Sequence, residues 1–201
     1  MKHIFYHLAA VMVVVVWGMT FISTKVLIVH GLSPQEIFLF RFLLAYAAVC
    51  PISFHRFFAR NLKDELYLVG GGVLGGSLFF FLQNMALGLT QASNVSFIIC
   101  TTPLLTAALT VLSVRTEKLS RGFIHGSIVA LLGVGLLIFN GSFILRISPL
   151  GDLLTLLASL SWAFYSLVIR SLTRKYSPAF ITRKIFFYGI ITIPVSYTHL
   201  T

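Results

Sequence analysis

Apolar positions in this chain fall in long blocks of membrane-spanning length, separated by short polar breaks. The first block, Leu8 to Val29, carries a single lysine, Lys25, near its far end. The turn His30-Gly31-Leu32-Ser33-Pro34 closes it, and Pro34 suits the first turn of a following helix, where its missing N–H costs nothing. A second span is predicted from about Glu36 to Phe54, with Arg41 one turn inside its start, and the loop after it holds His55, Arg56, Arg60, Lys63, Asp64 and Glu65. Spans three and four are expected at about Leu66 to Leu89 and Asn94 to Val114. The link Thr90-Gln91-Ala92-Ser93 is so short that these two must be antiparallel neighbours. Further spans are expected at Gly122 to Phe139, at Leu150 to Ile169, and from Ser177-Pro178 toward Pro194.

Two spans carry internal irregularities. In the third, Gly71/Gly75 and Gly72/Gly76 are spaced four apart, which makes one helix face smooth enough for close helix approach or for the thin wall of a solute path. In the fourth, Ser96, Thr101, Thr102 and Pro103 cluster near the middle. Pro103 should remove one backbone hydrogen bond, kink the helix and free a carbonyl at membrane depth.

Composition agrees with a membrane-embedded chain: 58% of residues are hydrophobic, 10% are charged, and the mean hydropathy is +0.96. A soluble domain typically carries about 25% charged residues. The fold class expected is therefore an all-α polytopic transmembrane helix bundle. Cys50 and Cys100 lie inside apolar runs without CxxC spacing, so neither a disulfide framework nor a metal site is expected. The net charge of +10 would suit nucleic acid in a soluble protein, but the placement of the basic residues removes that reading. With a cytoplasmic N-terminus, the fifteen Lys and Arg residues divide twelve to one between inner and outer loops. Arg146 is the outer one, and Lys25 and Arg41 fall within spans. The positive-inside rule accounts for that division.

A repeat is visible at an offset of 145 residues. Trp17 precedes Lys25 by eight positions, Trp162 precedes Arg170 by eight, and Ser33-Pro34 returns as Ser177-Pro178. Five spans lie within the offset, and because five is odd the second copy enters the membrane from the opposite side, the inverted-topology arrangement of many secondary transporters. Candidate solute contacts follow from position. Lys25 and Arg41 either snorkel to the headgroups or face a cavity and attract an anionic or zwitterionic solute. Trp17, Thr20, Phe21 and Thr24 share much of one helical face, available for packing or for stacking and hydroxyl contacts. Asn84 and Asn94 flank the turn between spans three and four, where they could join helices or touch solute. No His pairs with another His or with an acid at useful spacing, so an enzyme is not expected.

The ordered set Trp17-Gly18 with Phe21 and Lys25, Pro34 with Arg41, Asn84-Met85-Ala86-Leu87, Ala92-Ser93-Asn94, Pro103, Glu117-Lys118-Leu119-Ser120 and Gly126 with Gly133-Val134 resembles the EamA-type members of the drug/metabolite transporter superfamily. That resemblance implies ten spans in two five-helix repeats and movement of small metabolites, amino acids or drugs across the bacterial plasma membrane by alternating access, with export the expected direction. It implies a first repeat over residues 1–141 and an incomplete second repeat over 149–194, giving about seven of ten spans. It also implies substrate contacts at Trp17, Thr20, Phe21, Lys25, Arg41, Asn84, Asn94 and Pro103. Residues 195–201 look more like translated sequencing adaptor than transporter, which suggests a truncated or chimeric reading frame. The expected partners are the lipid bilayer and a small solute, with no nucleic acid and no cofactor, and a homo-oligomer is left open. The alternatives are a membrane assembly or structural protein without a solute path, and an inactive fragment.

Overall fold

The computed structural model describes residues 2–53, 56–113, 120–139 and 148–197, and among them the secondary structure is helical. Seven helices form among the described residues: α1 Lys2–Val29, α2 Pro34–Val49, α3 Leu62–Leu89, α4 Ala92–Ser113, α5 Arg121–Phe139, α6 Pro149–Arg170 and α7 Pro178–Tyr197. The all-α polytopic bundle expected from the apolar blocks is what forms. The stretches Ile4–Val29, Leu62–Leu89, Ala92–Ser113 and Pro149–Arg170 are each long and apolar enough to cross a bilayer. Helices α2, α5 and α7 are 16, 19 and 20 residues long. The Glu117-Lys118-Leu119 segment, Arg115, His55, Arg146 and residues 198–201 lie outside the described residues.

Local chemistry sets the helix ends. Ser33 and Glu36 form a capping box in which the Ser33 Oγ accepts from the Glu36 N–H at 3.2 Å and the Ser33 N–H donates to Glu36 Oε2 at 2.8 Å. The repeat-related Ser177 caps α7 likewise, its Oγ accepting from the Phe180 N–H at 3.3 Å. Two boundaries differ from expectation. Helix α2 ends at Val49, short of Phe54, because Pro51 supplies no N–H, and Pro51–Ser53 tighten into a 3₁₀ turn. Helix α3 begins at Leu62 and not Leu66, because Asn61 caps it through the Asp64 N–H at 2.8 Å. Asp64 and Glu65 thus belong to the first turn of a helix and not to a loop.

The centre of the bundle is α3 with α6, flanked by α7 on one side and α4 on the other, while α1 and α5 pack more sparsely at the edge. Residues Gly72–Leu78 of α3 form a π-helical stretch in which the Phe79 N–H reaches back five residues to Leu74 O. The smooth face seen in the sequence lies here, and it is used for packing. Gly75 sits under the Tyr165 ring of α6, while Gly72 and Gly76 meet Tyr188 and Gly189 of α7. Hydrogen bonds cross the same contacts, from Ser161 Oγ to Leu74 O at 2.7 Å and between the hydroxyls of Ser77 and Thr192 at 2.7 Å. Phe42 of α2 completes the cluster, stacked on Phe38 at 3.9 Å and edge-on to Phe80 and Phe186.

A methyl at Gly72 would collide with the Tyr188 Cβ, which is fixed by the α7 backbone, whereas a methyl at Gly70 meets nothing within 4 Å. Gly72→Ala is therefore expected to cost about 1–3 kcal/mol by overpacking. Gly70→Ala should be neutral or slightly stabilising through helix propensity. Thermal unfolding in detergent compares the two.

Candidate functional site

A cavity of about 970 Å³ lies between α1, α4, α5 and α6, with Phe79 of α3 in its wall. Its position follows from sequence. The sparse packing of α1 and α5 leaves space, and the break in α4 at Cys100–Thr101, between the helical segments Ala92–Ile99 and Thr102–Ser113, widens it. Pro103 has no N–H to offer the Ile99 carbonyl, and the Leu104 N–H goes to Thr101 O at 2.9 Å instead of to Cys100 O. Ile99, Cys100, Thr102 and Pro103 all line the cavity. The two tryptophans of the chain, Trp17 on α1 and Trp162 on α6, pack against each other in its wall, with ring centroids 6.1 Å apart. The Phe79 ring lies 4.7 Å from Trp162. Among the described lining residues none is charged.

The eight sequence-predicted site residues divide between two places. Trp17, Phe21 and Pro103 line the cavity. Thr20, Lys25, Arg41, Asn84 and Asn94 do not; apart from Thr20, whose hydroxyl turns back to Trp17 O at 2.6 Å, they gather near the end of the bundle where α1 stops and α3 turns into α4. Lys25 Nζ donates to Leu87 O at 2.5 Å and to Thr90 O at 2.9 Å, so its ammonium satisfies carbonyls that the end of α3 leaves open. Arg41 Nη1 donates to Thr24 Oγ1 at 3.0 Å, joining α2 to α1. Asn84 Nδ2 donates to Pro34 O at 3.1 Å, and Asn94 Nδ2 to Thr90 Oγ1 at 3.4 Å. Trp162, Phe79, Thr102 and Phe123 line the cavity without having been singled out as site residues. The signals for two of them were in view, since Trp162 marks the repeat and Thr102 belongs to the polar cluster of α4.

The opposite end of the bundle is held by acid–base contacts. Asp64, almost fully buried, accepts from Lys175 Nζ at 2.8 Å and from the Tyr176 hydroxyl at 2.9 Å. The hydrogen bond that Lys175 donates to Asp64 holds its ammonium above the ordinary lysine range. Glu65 accepts from the Ala59 N–H at 2.6 Å and pairs with both Lys184 Nζ and the Tyr188 hydroxyl. Lys184 is 4% exposed and lies 4.8 Å from the ring centroids of both Phe58 and Tyr188. Arg183 reaches back to the carbonyls of Ser53 and Arg56, beyond the end of α2. Two of the basic residues counted to the inner side, Arg183 and Lys184, are buried.

Cavity, helix ends and apolar exterior together define a polytopic α-helical membrane protein. The EamA-like transporter family matches residues 4–139, and the chain belongs to that family. It is similar to an uncharacterized transporter, YcxC, of Bacillus subtilis (strain 168), with 27% identity over 174 residues that make up 85% of this chain and 55% of the relative. The chain thus spans about half the length of that curated relative. A crystal structure of 18% sequence identity shares the fold, with a TM-score of 0.66 over 91% of this chain and 66% of the other.

Glu65 and Lys184 are mutual partners in a largely buried setting. Replacing either alone, Glu65→Gln or Lys184→Met, should destabilise by about 3 kcal/mol because it strands the other charge. The double replacement should cost clearly less than the sum of the two. A double-mutant cycle on thermal unfolding measures the difference.

Proposed function

We propose that this chain is the solute-binding part of a secondary transporter that moves small metabolites, amino acids or drugs across the plasma membrane by alternating access. The observation that carries the reading is the contact of Trp17 with Trp162 in the wall of one cavity, each on the first helix of its repeat. In inverted-repeat transporters solute sites lie near the midplane where the two repeats meet. We place a first repeat at residues 1–141 and the start of a second at 149–194, with the N-terminus cytoplasmic on the strength of the twelve-to-one division of basic loop residues. Export is the direction that the family resemblance suggests.

In this reading Trp17, Phe21 and Pro103 contact the solute directly. Lys25, Arg41, Asn84 and Asn94 act on it through the helices they join. Alternating access requires the contacts at one end of the bundle to loosen while those at the other hold. Lys25 on the α3 terminus, and Glu65 with Lys184 at the opposite end, are the contacts positioned for those roles.

The test is solute flux in proteoliposomes with the reading frame continued to the length of the relatives. Trp17→Ala and Trp162→Ala should each lower flux of the transported solute at least about tenfold, as loss of stacking contacts worth about 1.4 kcal/mol would require. Lys25→Ala should also reduce flux while membrane insertion is unchanged. Absence of flux across a broad metabolite panel would leave the assembly-protein alternative in its place.

A further inference from the structure

The end of the bundle where α3 begins and α6 stops carries a rim of charge and apolar surface that the proposed transport function does not use. Two segments build it, the link at residues 56–61 and the turn at residues 171–177. Packing fixes them to one another. The Arg60 N–H donates to the Tyr176 hydroxyl at 2.8 Å, and Ala59 packs on the cluster of Leu68, Ile169, Leu172 and Tyr176. Arg183 ties the other end of the link to α7 through the carbonyls of Ser53 and Arg56. The Arg183 guanidinium carbon lies 5.3 Å from the Phe57 ring centroid and Lys184 Nζ lies 4.8 Å from that of Phe58, so a buried cation backs each ring. Phe58 is nonetheless 72% exposed, and Ile52, in the 3₁₀ turn after α2, is 73% exposed.

The charges of the rim divide by direction. Asp64 and Glu65 are engaged inside the bundle, the first by Lys175 and Tyr176 and the second by Lys184 and Tyr188. Arg56, Arg60, Lys63 and Arg174 are exposed. The outward charge of these two segments is therefore cationic and is carried on a braced frame. The spans Leu62–Leu89 and Pro149–Arg170 both end here, which puts the cations at headgroup depth. A guanidinium can give a phosphate two parallel N–H bonds. A soluble polyanion would meet the cations but leave the Phe58 and Ile52 surfaces in water. A phospholipid meets both, with its phosphate on the cations and its upper acyl carbons on the apolar surface. We infer that this rim is a binding site for an anionic phospholipid, with Arg56, Arg60, Lys63 and Arg174 on the headgroup and Phe58 and Ile52 against the upper chains. The positive-inside rule governs the side on which loops settle and does not by itself retain a lipid. Retention follows from the inward-turned acids and the backed rings, and it does not depend on the cavity being a solute site.

Native mass spectrometry of the purified chain, released from detergent micelles, counts bound lipids directly. Dioleoyl-phosphatidylglycerol and dioleoyl-phosphatidylcholine, which share acyl chains and differ in headgroup charge, would be titrated separately. Phosphatidylglycerol should bind at least about tenfold more tightly than phosphatidylcholine. The triple variant Arg56→Gln, Arg60→Gln, Arg174→Gln should lose most of that preference, at about fivefold in affinity for each cation removed. The same three positions changed to Lys should keep a preference of at least about fivefold. The bonds that Arg56 and Arg60 contribute to the rim use backbone atoms, so these substitutions leave them in place. Unfolding temperatures of the variants in detergent without lipid, matched to the unsubstituted chain, control for misfolding. Equal affinity for the two lipids, or an unaltered preference in the Gln variant, would overturn the site. Heparin raising the unfolding temperature as far as phosphatidylglycerol does would overturn the lipid assignment in favour of a soluble polyanion.

Discussion

The arrangement depends on how closely α3 lets its neighbours approach. In a bilayer the hydrophobic effect does not draw helices together, because lipid tails are as apolar as leucine, so association has to come from contact area and hydrogen bonds. Gly72, Gly75 and Gly76 remove the side chains that would hold α6 and α7 away. The contacts from Ser161 and Thr192 then come within hydrogen-bonding distance of α3. Once α6 is seated there, Trp162 is carried to the cavity and meets Trp17. The position of the candidate solute site is thus a consequence of side chains that α3 lacks.

The two ends of the bundle are closed by different chemistry. At one end a lone ammonium, Lys25, bonds to backbone carbonyls, an arrangement with no carboxylate in it. At the other, Asp64 and Glu65 take buried or half-buried cations from the α6–α7 turn and from α7, and aromatic rings surround one of those cations. The first kind of contact exchanges readily, since a carbonyl released by lysine can be met by water. The second leaves a charge stranded when it opens, so its rupture requires a compensating partner or hydration.

Much of this was legible in the sequence, and the reasons for the remainder are physical. Apolar block length gave the helices because a bilayer imposes one length scale on every span. The glycine spacing announced a packing face, and Pro103 announced the break in α4, because backbone geometry is local. The Asn-x-x-Asp spacing of the Asn61 cap lies among loop charges and is a weaker signal than the apolar run from Leu66, so the helix starts a turn ahead of that run. What sequence could not place was direction around the helix axis. Lys25 and Trp17 stand on the same helix, yet Trp17 lines the cavity while Lys25 reaches the terminus of α3. Only the positions of the neighbours decide which side chain meets solute and which meets backbone. Arg183 and Lys184 show the same limit, since the pattern that counts them as topology signals carries no information about burial.

The π-helical stretch Gly72–Leu78 acts as a phase shift within α3. Each residue of an α-helix advances the face by about 100°, so the additional residue held in a π turn offsets everything beyond it by roughly that angle relative to an unbroken helix. The glycine face within the stretch is turned to α6 and α7, while beyond it Phe79 lines the cavity and Asn84 reaches Pro34. A sequence one residue shorter in this stretch could regularise the helix, and the two halves would then no longer address their separate partners. Alignments across this segment therefore need a gap placed by structure, because a single-residue indel here is a rotation of half a helix and not a change of loop length.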